Sequence, residues 1–332
     1  MQPVLNVNDL ATYFFVGHKQ KTILKAVDGI SYQLNQGEIL GLVGESGCGK
    51  SVSALSLLRL VQKPGKVVRG RVSLNGTNLL GLPEKQMVHI RGKEISMIFQ
   101  DPMSSLNPTI RSGIQIVEAM TWHHYVGYAE AQQRALDLMA SVGIPDPGQR
   151  FSHYPFQFSG GMRQRIMIAM AIACNPRVLI ADEPTTALDV TVQMQVLDLL
   201  CQLNEKYGTA ILLITHDFGV VTEICTKVAV MYAGKIVEKG SIEQFWNNPS
   251  HPYGKNLLNS TPRLGERHKA LTAIPGAPPS LRNLPSGCVF HRRCSFAMEK
   301  CHRIYPPTFE IEAGHVCACW LYEKDSIRGE YE

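Results

Sequence analysis

Three short stretches of the chain are apolar at almost every position: Ile39-Leu-Gly-Leu-Val43, Val178-Leu-Ile-Ala181 and Ala210-Ile-Leu-Leu-Ile214. Runs of this length without polar alternation predict β-strands covered on both faces, as in a parallel sheet flanked by helices. Helical patterns over 161–173 and 191–207 alternate with the last two, which is the order of an α/β sheet. The N-terminal part differs. Val4-Leu-Asn-Val7, Leu10–Phe15 and Ala26–Leu34 read as short segments of an antiparallel sheet ending at the turn Gln36-Gly37. Val67–Leu74 predicts a strand running into the turn Asn75-Gly76. Glu94-Ile-Ser-Met-Ile-Phe-Gln100 predicts another, with polar Gln100 at its end. Residues 112–142 read as helical, up to a break at Pro145-Asp-Pro-Gly148. A hairpin, Val228–Tyr232 returning over Lys235–Glu238, closes a first domain near residue 245. Pro262, Pro275, Pro278, Pro279 and Pro285 then mark 261–287 as an extended linker or arm, and a cysteine-rich tail follows.

Composition supports a globular chain: 332 residues with 45% apolar content are enough for a core and for two or three domains. No apolar run approaches the ~18 residues of a membrane span, and MQPVLNVNDL lacks the pattern of a signal peptide, so a cytoplasmic location is expected. The net charge of +5 is mild and dispersed, which argues against nucleic acid as a partner. Of nine cysteines, Cys48, Cys174, Cys201 and Cys225 are scattered and five fall within 288–319.

The chemistry gathers first at Gly44-Glu-Ser-Gly-Cys-Gly-Lys-Ser51, between an apolar strand and a helix-like segment starting at Val52. Gly44, Gly47 and Gly49 let the backbone turn so that N–H groups along the loop, those of Ser46 and Cys48 included, face phosphate oxygens. Lys50 then reaches the β- and γ-phosphates and the Ser51 hydroxyl ligates magnesium. Asp182 and Glu183 stand at the end of a buried strand, where an α/β sheet presents ligand groups. Asp182 suits the magnesium hydration shell, and Glu183 suits proton abstraction from the attacking water. Cys48, beside Lys50 and the loop N–H groups, is expected to be a readily alkylated thiolate. Cys174, Cys201 and Cys225 suit small buried hydrophobes.

Between these motifs, Phe158-Ser-Gly-Gly-Met-Arg-Gln-Arg165 resembles the signature sequence of ATP-binding cassette (ABC) proteins. The resemblance implies that Ser159, Gly160 and Gly161 bind the γ-phosphate of a nucleotide held by an opposite subunit. It likewise implies that Gln100 is the Q-loop glutamine at the magnesium, Ala187-Leu-Asp189 the D-loop, His216 the switch histidine, and Phe14, or failing that Tyr13, the aromatic stacked on adenine. Gln100-Asp-Pro-Met-Ser-Ser-Leu-Asn-Pro108, Ser159–Met170, His251-Pro-Tyr253 and the spacing of Cys288, Cys294 and Cys301 are similar to the peptide and nickel importer ATPases. Phe158 departs from the family's usual leucine and Cys48 from its usual serine. The fold so implied is an α/β P-loop nucleotide-binding domain over 1–250, with a mixed core sheet, an antiparallel β subdomain and a helical subdomain at about 101–165; residues 251–332 form the extension. The implied function is ATP hydrolysis driving uptake of dipeptides, oligopeptides or nickel. Implied partners are a second, identical or homologous cassette, two permease subunits and, indirectly, an extracytoplasmic binding protein, with the chain peripheral on the cytoplasmic side of the inner membrane. The rival is a soluble ABC ATPase with a redox- or metal-sensing tail.

In that tail, Cys288, Cys294 and Cys301 are separated by five and six residues, and Cys317 and Cys319 follow. Zinc, held by four cysteines or by three and a histidine, normally uses ligand pairs two to four residues apart, which are missing here. All-thiolate ligation at wide spacing suits a [4Fe–4S] cluster, which the resemblance also implies. Cys319 is favoured over Cys317 as fourth ligand because His315-Val-Cys-Ala-Cys319-Trp-Leu matches the family's cysteine before an aromatic. Arg292, Arg293 and Lys300 are expected to offset the thiolates. Such a site, remote from Lys50 in sequence, is expected to tie down the arm and to take no part in hydrolysis.

Overall fold

The computed structural model describes residues 2–17, 22–124, 126–186, 188–260 and 274–323. Ala187 of the expected D-loop and the first part of the expected linker, 261–273, lie outside the described residues. The chain forms two compact units, one of Met1–Leu5, Leu34–Ile39 and Leu74–Ile214, the other of Asn6–Gln33, Leu40–Ser73 and Thr215–Glu332. The division drawn from sequence at 250/251 falls inside the second.

The first unit is built on parallel pairing. Ile95–Ile98 lies beside Val178–Asp182 in the register Ile95↔Val178, and Val178–Asp182 beside Ala210–Thr215 with Asp182 opposite Ile214. Every residue of these strands is buried, as their unbroken apolar character requires. The stretch read as one helix is two, Ser112–His124 and Tyr128–Ser141. The helix Val190–Tyr207 starts at Asp189, whose carboxylate accepts from the Val192 N–H at 3.0 Å, and stops at Gly208, which takes a left-handed φ of 63°. Arg165 donates to the carbonyls of Val142 (2.9 Å) and Gly143 (3.1 Å), tying the end of Tyr128–Ser141 to the helix Gly160–Ile172.

In the second unit, Leu5–Val16 is one strand where the sequence pattern suggests two segments. The interruption is a kink at Asp9, whose φ is +48°, accommodated by Gly70 opposite, where a Cβ would fall 2.6 Å from the Leu10 Cα. Leu5–Val16 lies between Thr22–Leu34 and Gly65–Leu74. Elsewhere in the unit Ile39–Val43 pairs in parallel with Lys227–Tyr232, which turns at Ala233-Gly234 and pairs antiparallel with Lys235–Ser241. The sheet continues into the tail, where the sequence pattern predicts no strands. His315–Cys317 adds antiparallel to Lys235–Ser241, and Phe309–Glu312 adds antiparallel to His315–Cys317.

Candidate nucleotide site and cysteine pocket

The buried strand Ile39–Val43 delivers the loop Gly44–Ser51 directly into the helix Lys50–Leu57. Two of the loop glycines have no substitute. Gly44 (φ +155°) and Gly49 (φ +107°) would each place a Cβ 2.1 Å from a backbone oxygen, that of Met231 and that of Ala26. Gly47 (φ +77°) has nothing within 4 Å. Lys50 is only 5% exposed, and its ammonium donates to the carbonyls of Gly44 (2.7 Å) and Glu45 (3.1 Å), which aims the cation along the loop. Such a cradle suits a magnesium-bound triphosphate, with the Ser51 hydroxyl at the positive end of the helix.

Cys48 differs from the reactive thiolate expected. It is 5% exposed, and burial pushes its thiol up even though the Lys50 ammonium, 3.8 Å away, acts in the opposite direction. Desolvation of the thiolate outweighs one favourable charge.

Phe14 and Tyr13 point to opposite faces of their strand. Thr12, on the face of Phe14, is bonded to Ser56 of the helix Lys50–Leu57 at 2.7 Å, so Phe14 shares the side on which that helix lies; its ring edge also packs over Gly65. Tyr13 is committed elsewhere, its hydroxyl donating to Asp28 at 2.6 Å. His216 is exposed, on the turn before the helix Phe218–Ile224.

The first unit holds the remaining expected residues and brings two of them into contact. Gln100 Nε2 donates to Glu183 Oε2 at 2.9 Å, and Thr186 Oγ1 donates to the same oxygen at 2.9 Å. Asp182 is 4% exposed as the last residue of its strand, and Glu183 follows with φ +48°. Its N–H donates to the Ile214 carbonyl at 2.8 Å, holding the left-handed backbone that turns its carboxylate toward Gln100. Ser159 caps the helix Gly160–Ile172, accepting from the Met162 N–H at 3.3 Å. Gly160 has no neighbour within 4 Å of a would-be Cβ, leaving the helix start open, whereas Gly161 faces Val192 at 2.9 Å. From this helix the buried Gln164 reaches the Pro184 carbonyl at 2.7 Å, linking Ser159–Gly161 to the Asp182-Glu183 segment. Phe158 is buried, with its ring centroid 5.7 Å from that of His153.

In the tail, Cys288, Cys294, Cys301 and Cys319 line one small pocket walled by Phe290 and Trp320. Cys317 does not line it. Its wholly buried thiol, pushed up by burial, is hydrogen-bonded to Cys319, and that hydrogen bond holds the Cys319 thiol below its ordinary value; neither forms a disulfide. Among the described residues no group of three His, Cys, Asp or Glu side chains is placed to hold a metal ion. Two of the cations expected to offset the thiolates are engaged elsewhere: Arg293 pairs with Glu45, and Lys300 pairs with Glu323 at 2.6 Å and lies 3.8 Å from the centre of the Trp320 ring.

Sequence reasoning missed what fastens the tail. Glu238, 1% exposed, accepts from the N–H groups of Ser250 (2.6 Å) and His251 (2.8 Å) and pairs with His315 Nε2 at 2.8 Å. The bond to Glu238 raises the His315 pKa, while burial pushes His251 down to about 3, so that its Nδ1 stays an acceptor for the Tyr253 N–H. Tyr232, Tyr253 and Phe290 pack ring on ring beside it, with centroids 4.6–5.4 Å apart. The one available signal was the triplet His251-Pro-Tyr253.

A phosphate loop, an acidic strand end and a second glycine-opened helix define a P-loop ATPase of the cassette type, and comparison with known proteins agrees. The family profile "ABC transporter" matches residues 27–186, and "Oligopeptide/dipeptide transporter, C-terminal region" matches 237–301. The chain is 51% identical to a probable peptide ABC transporter ATP-binding protein of Sinorhizobium fredii, over 96% of this chain and 94% of that one. It is 46% identical to an oligopeptide transport ATP-binding protein of Bacillus subtilis (98% of each) and 45% identical to the dipeptide transport ATP-binding protein of Escherichia coli (95% and 96%). Among solved structures, a dimeric bacterial ABC transporter cassette superposes with a TM-score of 0.64 at 24% identity, covering 72% of this chain and 98% of that one, which shows the shared fold. The chain belongs to the ABC transporter ATP-binding protein family, as the ATP-hydrolysing subunit of an importer.

Proposed function

We propose that this subunit powers uptake of peptides. The observation that carries this is the match of residues 237–301 to the oligopeptide/dipeptide transporter C-terminal region, on a chain similar from end to end to peptide-transport ATP-binding proteins. No described helix is long and apolar enough to cross a membrane. In this reading the solute path falls to two permease subunits, against which this chain works from the cytoplasmic side as one of two cassettes, with an extracytoplasmic protein capturing the peptide. Residues 1–250 carry the ATPase and 251–332 the extension. Gly44–Ser51 cradle the phosphates, Ser51 and Gln100 are the magnesium residues, Asp182 suits the magnesium hydration shell, Phe14 meets the adenine, His216 serves as the switch histidine, and Ser159–Gly161 serve the partner cassette's nucleotide. Glu183, oriented by Gln100 and Thr186, takes the proton of the attacking water. Bound magnesium supplies charge neutralisation on the phosphates.

The extension's pocket supports a [4Fe–4S] cluster held by Cys288, Cys294, Cys301 and Cys319. The four residues line one small pocket, which supports reading them as a single ligand set, and the wide cysteine spacing together with the family resemblance favours the cluster over zinc. Uptake of di- and oligopeptides by the reconstituted complex tests the transport reading, and uptake of nickel without peptide uptake overturns it. Anaerobically purified protein with about four irons per chain, as that cluster type requires, supports the cluster; one zinc and no iron overturns it.

A further inference from the structure

We infer that the C-terminal extension positions the phosphate-binding loop, through Arg293 and Tyr253 acting on Glu45, and thereby sets the affinity for nucleotide. The inference rests on the reading of Gly44–Ser51 as the phosphate cradle.

Glu45, the second residue of the loop, is gripped from the tail at two points. Its carboxylate takes both arms of the Arg293 guanidinium, at 2.6 and 2.9 Å, and its backbone N–H donates to the Tyr253 hydroxyl at 2.8 Å. Its carbonyl in turn accepts from Lys50 at 3.1 Å. One residue thus joins the extension to the cation that meets the phosphates. The grip is built rather than incidental. Arg293 has a side chain only 5% exposed, and it is braced by the Pro275 carbonyl at 2.8 Å and the Tyr232 hydroxyl at 3.3 Å. Tyr253 is fully buried in the aromatic group with Tyr232 and Phe290. A forked guanidinium–carboxylate pair fixes direction as well as distance, which a lysine does not.

Charge gives the arrangement a purpose beyond packing. Glu45 places a carboxylate on a loop that must receive polyanionic phosphates, and Arg293 neutralises it. Remove Arg293 and the carboxylate repels the nucleotide while the Glu45 peptide loses its orientation. Arg293 also directly precedes Cys294 of the cysteine pocket, so the residue that grips the loop is the chain neighbour of a pocket-lining cysteine.

The test measures MgATP affinity of the full chain, well below the melting temperature, by equilibrium binding. Arg293→Ala should weaken binding about tenfold, equivalent to about 1.4 kcal/mol. Glu45→Gln added to it should restore most of the loss, because the repelling charge is gone. Arg293→Lys should recover only part, and Tyr253→Phe, which keeps the ring and removes the acceptor, should weaken binding about threefold. A merely structural Arg293 would lower the melting temperature and leave the affinity of folded protein unchanged, with no rescue by Glu45→Gln, and that result overturns the inference. If Arg293→Ala does not fold, wild-type affinity in both Arg293→Lys and Tyr253→Phe overturns it equally. Lys50→Ala separates the two readings. Its loss of binding with intact binding in the tail variants rejects only the inference, whereas intact binding in Lys50→Ala rejects the loop as the nucleotide site.

Discussion

Replacing Glu183 by glutamine tests the proposed chemistry with little disturbance of structure. In the native site Glu183 Oε2 accepts from Gln100 Nε2 and Thr186 Oγ1, both at 2.9 Å. The glutamine carbonyl can accept both bonds, and the side chain keeps its length, so the left-handed backbone at this position and the Gln100 contact persist. What disappears is the basic oxygen. Loss of a general base lowers the rate by about 10²–10⁴, or about 3–5 kcal/mol in the barrier. The loop Gly44–Ser51 is untouched, so the dissociation constant for MgATP should stay within a factor of about two, a difference of about 0.4 kcal/mol. Phosphate release by the assembled transporter, measured beside equilibrium nucleotide binding, separates the two quantities. Glu183→Ala offers a contrast, because it leaves Gln100 and Thr186 without their shared acceptor and should disturb the Q-loop as well as the rate. Turnover by the glutamine variant near the parental rate would refute Glu183 as the base, and a parallel loss of binding would refute the claim that the change is purely chemical.

Gly49→Ala should destroy nucleotide binding and destabilise the fold by about 3 kcal/mol or more, since its Cβ would sit 2.1 Å from the Ala26 backbone oxygen. Gly47→Ala, with open space around it, should cost only about 1 kcal/mol of left-handed strain, and equal melting shifts for the two would contradict the loop geometry. Cys48 should be alkylated more slowly than an exposed thiol, because burial raises its pKa and hides it; rapid labelling of folded protein, read by mass spectrometry, would count against the structure. His315 has a pKa raised by Glu238, so its contribution is complete below the ordinary value near 6.5 and is lost as pH rises through the raised one. The melting advantage of the parent over His315→Gln should therefore shrink as pH rises above the ordinary value, and a constant difference would show that the pair does not titrate.

What the sequence revealed was what is local. The continuously apolar strands, the loop Gly44–Ser51 and the Ser159-capped helix each depend on residues a few positions apart, so spacing alone exposed them. The kink at Asp9 breaks the alternation along Leu5–Val16, so the pattern suggests two segments, and its compensation by Gly70 comes from a distant strand. The tail was least legible. Its short strands carry too few residues for a periodic signal, and they form only by adding to Lys235–Ser241. Arg293 looked like a counter-charge for its neighbouring thiols because nothing local ties it to Glu45, 248 residues away. Cys48 looked reactive because neighbouring charge is visible in sequence whereas burial is not.

The strand His315–Cys317 has a further consequence for the sheet it joins. Without it, Lys235–Ser241 would show a row of unpaired backbone groups to any other chain with a matching strand, a template for association. With it, the exposed border passes to Phe309–Glu312, only four residues long and bearing outward Glu310 and Glu312. Short, acidic borders resist edge-to-edge pairing. The extension thus covers the edge of Lys235–Ser241, and a chain cut near residue 250 is expected to self-associate in light scattering, whereas the full chain is not.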